Sequence, residues 1–237
     1  MPNEGFPFIF GESNYECHIK GIVRNWDESN LGFSGWCQED ASGDMFGLLG
    51  AIADLDQSYL VDSWLYSDYT YGLVCDSDSA SESEVYCLGA KESVFSLLVV
   101  QKATSNVLRE LELDSFSNDY YPISSHHISQ LETQVALGFG VREEKITIYL
   151  FDLATIKAGT ETEPVFKYLL TTKDLDKKSM GLSELKLHSY LGVIFSGKGY
   201  DEDDVEAGML ANIKISNQSV FYMRRPESHS VLAFAIN

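Results

Sequence analysis

The same order of segments returns four times along this 237-residue chain. Each copy has a weaker first strand, a second strand rich in small and β-branched residues, an apolar third strand, a polar turn and a closing strand. The clearest copy is Val85 to Leu113, VYCLGAKESVFSLLVVQKATSNVLRELEL, which predicts strands over Val85–Gly89, Val94–Lys102 and Val107–Leu113. β-Branched and aromatic residues fill the runs, and small polar residues fill the gaps between them. Taking the second strand as anchor, the copies align at Gly35-Trp36-Cys37, Val85-Tyr86-Cys87, Val135-Ala136-Leu137-Gly138 and Tyr190-Leu191-Gly192-Val193. Successive anchors lie about fifty residues apart, a period in the range of propeller blades.

Around each anchor the flanking strands follow in order. The first strands are expected at Tyr15–Val23, Tyr71–Cys75, His126–Glu132 and Glu184–Ser189. Third strands are expected at Phe46–Ala53, Val94–Lys102, Lys145–Asp152 and Met209–Ile215, and fourth strands at Ser58–Tyr66, Val107–Leu113, Pro164–Thr171 and Ser219–Arg224. Helical periodicity is nearly absent. One such meander alone leaves both faces of a small sheet uncovered, whereas stacking several face to face buries them. The reading is therefore all-β: a β-propeller-like array of about four four-stranded blades, over 12–67, 68–121, 122–178 and 179–225. A β-sandwich is the competing all-β answer, but it does not account for the period.

The blade pattern resembles the bacterial-type β-propeller repeat, which runs roughly as turn, V-Y-V-x-G strand, D-A-F-V-x-K-L strand, turn, L-x-W strand. The residues carrying the likeness are Val85–Gly89, Phe95–Lys102 and Val107–Leu113, and it extends over residues 12 to 225. It departs from that repeat at the last turn, where Ala103–Asn106 and Ser216–Gln218 lack the usual glycine. Neither the paired glycines of Kelch repeats nor a Trp-Asp signature occurs. Arrays of this kind are found in large surface proteins of bacteria and protists, so the resemblance implies a propeller scaffold. It carries no catalytic residue across.

The termini add an orphan strand each, Phe6–Phe10 within an N-terminal arm (1–11) and Ser230–Asn237 within a C-terminal segment (226–237). They either close a shared blade, or the chain is an arc of a larger ring. The run Val231–Ile236 carries no charge and no proline, so an open edge there would invite pairing. The expectation is a partner chain or a continuation, with the isolated chain prone to oligomerise.

A net charge of −19, from 36 acidic and 17 basic residues, argues against nucleic acid and against anionic membranes. No apolar run approaches the ~20 residues of a transmembrane helix, and the N-terminus lacks the pattern of a signal peptide. On that last ground the chain either stays in the cytosol or is a processed or partial product.

The four cysteines follow the repeat. Cys37 and Cys87 occupy one position on the second strands of the first two units, and Cys17 and Cys75 lie on the strands before them. The other two units have neither partner. Cysteines present or absent together suggest disulfides Cys17–Cys37 and Cys75–Cys87, which need an oxidising compartment. The alternative is four buried free thiols in a cytosolic protein. Asn217-Gln218-Ser219 is a glycosylation acceptor on a hairpin tip.

Two acidic clusters are candidate calcium ligands: Asp76 and Asp78 in one, Asp201, Asp203 and Asp204 in the other. Neither has the D-x-D-x-D-G spacing, and a solvated loop is the simpler reading of both. No other cofactor is implied. For catalysis, Gly32-Phe33-Ser34-Gly35 lacks the nucleophile-elbow spacing, and Ser196-Gly197-Lys198-Gly199 lacks the rest of a phosphate-binding loop. Of the five histidines, His18, His126, His127, His188 and His229, three fall on equivalent first strands.

The function expected is a non-catalytic structural or interaction module of an extracellular or cell-surface assembly, binding protein partners or further copies through strand edges. Two alternatives stand beside it: a cytosolic scaffold docking protein partners, and a hydrolase or lyase working in the propeller channel.

Overall fold

The computed structural model describes residues 14–27, 30–53, 60–115, 126–141, 145–159, 163–171, 179–200, 206–216 and 219–224. The orphan strands Phe6–Phe10 and Ser230–Asn237 lie outside these residues, as do Asp201, Asp203, Asp204, Asn217 and His229.

Four antiparallel meanders account for nearly all the described structure. The first holds β1 (Tyr15–Val23), β2 (Leu31–Glu39), β3 (Met45–Ala53) and β4 (Leu60–Tyr66). The second holds β5 (Leu73–Asp76), β6 (Glu84–Lys91), β7 (Val94–Gln101) and β8 (Val107–Ser115). The third holds β9 (His126–Leu131), β10 (Gln134–Val141), β11 (Lys145–Asp152) and β12 (Phe166–Thr171), and the fourth β13 (Ser179–His188), β14 (Gly192–Tyr200), β15 (Glu206–Lys214) and β16 (Ser219–Arg224). Each sheet keeps its strands in chain order, which is the blade of a β-propeller. The contacts divide the chain into two compact units, Met1–Asp114 and Ser115–Asn237.

Within each unit one blade lies against the next, and that packing buries one face of each central strand. In β6, Val85 through Ala90 are all buried, as are Phe95 through Val100 of β7. In the first unit β5 rests on β1, β2 and β3. Val23, Trp26, Leu49, Leu73, Val85, Leu98 and Val100 form the core there. In the second unit β13 rests on β9, β10 and β11, around Ile146, Ile148, Leu182, Leu185, Phe195 and Ile213. Each interface also carries a serine that bonds a buried backbone amide across it. Ser34 Oγ accepts the Cys75 N–H at 2.9 Å, and Ser129 Oγ accepts the Leu187 N–H at 3.0 Å.

Two departures from the sequence reading have plain causes. In the fourth blade, Tyr190 and Leu191 are not strand but the exposed turn between β13 and β14, closed by Gly192 at φ 87°. A positive φ of that size is a glycine conformation, so the anchor belongs further on, within β14. Between β11 and β12, where a plain hairpin tip is expected, a six-residue helix α1 (Leu153–Ala158) buries Leu153 and Ile156 and ends on left-handed Gly159.

The misplaced anchor hides a repeat that the structure restores. Phe33-Ser34-Gly35 of β2 and Phe195-Ser196-Gly197 of β14 occupy the same place. In both blades the first strand carries one extra residue opposite this triplet, Lys20 in β1 and Ser183 in β13. Gly35 then faces Ile19, and Gly197 faces Leu182, across such a bulge. A Cβ on Gly35 would collide with the His18 carbonyl oxygen, and one on Gly197 with the Gly181 carbonyl oxygen. The glycines are there to let backbone approach backbone. Gly35→Ala is expected to cost about 1–3 kcal/mol by overpacking, read as a lower urea midpoint. Gly181→Ala, whose Cβ would meet nothing within 4 Å, is expected to change stability by less than about 0.5 kcal/mol. Equal losses from both would contradict this account.

Candidate functional site

The first unit gathers most of the polar chemistry. Cys17 and Cys37 stand directly opposite each other on β1 and β2, and Cys75 and Cys87 do so on β5 and β6. Both pairs are disulfide-bonded, with Cα–Cα separations of 4.0 Å, and no cysteine is left free. Each bond ties the first strand of a blade to the second. Cys75 and Cys87 are buried within the core between the blades, and Cys37 packs with Phe33 and Leu48. Pairing by absence and presence along the repeat is thus a sufficient signal for these two bonds.

At one end of the two blades lies a clasp that sequence reasoning misses. Asp76 ends β5 and is buried, with its side chain 7% exposed. An isolated carboxylate in that position would be strongly disfavoured. The turn after β1 supplies the counter-charge: Arg24 donates from Nε to Asp76 Oδ1 at 3.1 Å and from Nη2 to Oδ2 at 2.7 Å. Asp76 Oδ1 also accepts the Ser77 N–H at 2.9 Å. The fork geometry matches a carboxylate as an ammonium cannot. Its hydrogen bonds to Asp76 raise the Arg24 pKa above its ordinary value.

Beside it, Asn25 adopts φ 50° and donates from Nδ2 to the Asp78 carbonyl at 2.7 Å. Lys102 Nζ donates to the carbonyls of Asn25 at 2.8 Å and Ser79 at 3.1 Å. Trp26 is buried next in the turn and stacks on Trp64 with ring centroids 6.1 Å apart. Further along, the Tyr66 hydroxyl of β4 donates to the Ser105 carbonyl at 2.6 Å.

The loop read as a solvated acidic cluster is therefore pinned at its start. Asp76 is an internal anchor, with both oxygens committed to Arg24, and Asp78 is held through its backbone. Among the described residues no group of three or more His, Cys, Asp or Glu side chains converges as a metal site.

The two serine-glycine motifs weighed as catalytic fragments have the structural role given above. Ser34 bonds the Cys75 amide, and Lys198 Nζ lies 3.3 Å from the Tyr200 hydroxyl. Of the histidines, His18 stacks on Trp36 with centroids 4.1 Å apart and meets Glu16 Oε1 at 2.9 Å. His188 accepts the N–H groups of Tyr190 and Leu191 on Nδ1 and so closes its own turn. His126 is buried on β9, and His127 faces Gly138 across the sheet.

One titratable group stands apart. Lys20 is the extra residue of the β1 bulge, and the inversion there is marked. Ile19 and Ile22 are 53% and 60% exposed, while Lys20 Nζ is buried and makes no hydrogen bond among the described residues. Burial lowers its pKa from 10.5 to about 8. Between those values the unfolded chain binds the proton and the folded chain does not, so folding stability rises with pH across that window. The ceiling of the effect is roughly 3 kcal/mol. Lys20→Met is expected to raise stability at pH 7 by about 1–3 kcal/mol and to abolish the rise between pH 8 and 10. Urea unfolding at the two pH values measures both. A rise that persists in the variant would contradict the assignment.

No protein-family model matches the chain, and no curated protein sequence matches it. Solved structures do. Hydrazine synthase of Kuenenia stuttgartiensis superposes with a TM-score of 0.55 over 89% of this chain and 67% of that one, at 9% identity. Hsv2 of Kluyveromyces lactis gives a TM-score of 0.39 over 90% of this chain and 66% of that one, at 8% identity. Only the first reaches a level that argues fold, and at that identity it speaks of fold alone: the chain is a β-propeller of four-stranded blades.

Proposed function

We propose that the chain is a non-catalytic structural and interaction module of an extracellular or cell-surface assembly, of the surface-protein propeller kind its repeats resemble. The observation that carries this reading is the pair of cross-strand disulfides, which use every cysteine of the chain. Disulfides of this kind persist in oxidising compartments and are rare in the cytosol. The sequon at Asn217 and the acidic surface agree with it. So does the placement of His18, His188, Ser34 and Lys198 in local structural contacts. Partners dock on such a module through strand edges and loops, which a propeller presents in quantity.

Antibody labelling of intact source cells, before and after permeabilisation, tests the location. Labelling without permeabilisation is expected. A signal that needs permeabilisation would overturn the extracellular reading in favour of a cytosolic scaffold.

A further inference from the structure

β8 differs from the other outer strands. It runs nine residues, against seven for β4 and six each for β12 and β16. None of its residues is buried, and the first four are exposed. Val107 is 37% and Leu108 48% exposed. Last in the order β5-β6-β7-β8, it has no strand on its outer side among the described residues. Alternate residues of an antiparallel strand turn their N–H and C=O groups away from the paired neighbour. An edge of this length is a template for a further strand unless something defends it.

The defence here is selective. Leu108, Glu110, Glu112 and Asp114 share one face of VLRELELDS, and Arg109 is the strand's single cation. Lys91 Nζ pairs with Glu110 at 2.9 Å, and its pKa is raised first by that bond and then by the charges of Asp68 and Glu112 as well as Glu110. Glu110 thus meets the Lys91 ammonium directly, while Glu112 and Asp114 continue the row of carboxylates along a strand that carries one cation. A second copy adding antiparallel to β8 would set this acidic row against its own likeness, on a chain of net charge −19. Like charges directly opposite are destabilising. The edge repels copies of itself and favours a strand of opposite charge.

We propose that the outer edge of β8 is a β-augmentation site for an extended, basic segment of a partner protein, with lysine or arginine at alternate positions beside the acidic row and apolar residues between them on the face of Val107, Leu111 and Leu113. The proposal rests on the interaction-module reading and names the partner's chemistry.

The test uses the full, disulfide-intact chain and a seven-residue peptide alternating lysine and valine, with hydrogen exchange followed by mass spectrometry. Expected are protection confined to 107–115 and binding at least about tenfold tighter than for the glutamate–valine peptide. Methylating alternate backbone nitrogens of the peptide should abolish binding, because strand addition needs those donors. Glu112→Lys should weaken it by at least about threefold. Binding that survives N-methylation, equal binding of the acidic peptide, or absence of protection at 107–115 would each overturn the proposal. So would a dimer by light scattering with the same segment protected. A failed peptide with positive surface labelling removes this edge and leaves the module reading; labelling confined to the cell interior does the reverse.

Discussion

Removing both disulfides is expected to lower the stability of the chain by about 3 kcal/mol per bond. The bonds close segments with sequence separations of 20 and 12 residues. Loops of that size release conformational entropy to the unfolded chain worth roughly 3 kcal/mol each when the link is cut. A single domain has only about 5–15 kcal/mol in hand, so the doubly reduced chain should unfold at a much lower urea concentration. The two bonds should also differ in rate. Cys75 and Cys87 are 3% and 0% exposed, whereas Cys17 is only partly buried. Under native conditions a thiol reductant should therefore open Cys17–Cys37 first, and Cys75–Cys87 only on unfolding. Alkylation at successive times with mass spectrometry reads the order. Simultaneous opening would show that the second pair is not shielded as described.

Arg24→Ala is the other large effect. It leaves the buried Asp76 carboxylate with the Ser77 amide and without its guanidinium. Breaking a fully buried pair costs ~3–5 kcal/mol because the surviving charge is stranded. Arg24 is 46% exposed at its side chain, so water reaches the gap, and the expected loss is about 2–3 kcal/mol. Arg24→Lys should recover less than half of it, since an ammonium cannot reproduce the two-point fork. Arg24→Ala with Asp76→Asn should be milder than Arg24→Ala alone, because no charge is stranded. If the double variant is the worse of the two, the clasp does not work by charge pairing.

The strand order of this chain is written locally. Val85–Ala90 and Phe95–Val100 read as doubly covered strands because every residue in them is apolar or small. The cysteine pairs were legible because the repeat places them in register. What escaped was either conformational or distant. Tyr190 and Leu191 look like strand residues, and only the positive φ of Gly192 shows that they turn. Once the anchor slipped by that turn, Phe33-Ser34-Gly35 and Phe195-Ser196-Gly197 no longer aligned, and a packing device read as two stray catalytic fragments. Asp76 looked like one of several loop acids. Its partner Arg24 lies 52 residues away, and no local pattern joins them. Lys102 reaches Asn25 across 77 residues and was equally hidden. Lys20 gave no sign either, since burial of its amine follows from one inserted residue in β1.

Peptide mapping of the unreduced protein from its native source, alkylated before digestion, bears most directly on the account. The prediction is no modified thiol and two cross-linked peptide pairs, Cys17 with Cys37 and Cys75 with Cys87. Four alkylated cysteines would contradict it, and with it the oxidising, extracellular setting on which the proposed function rests.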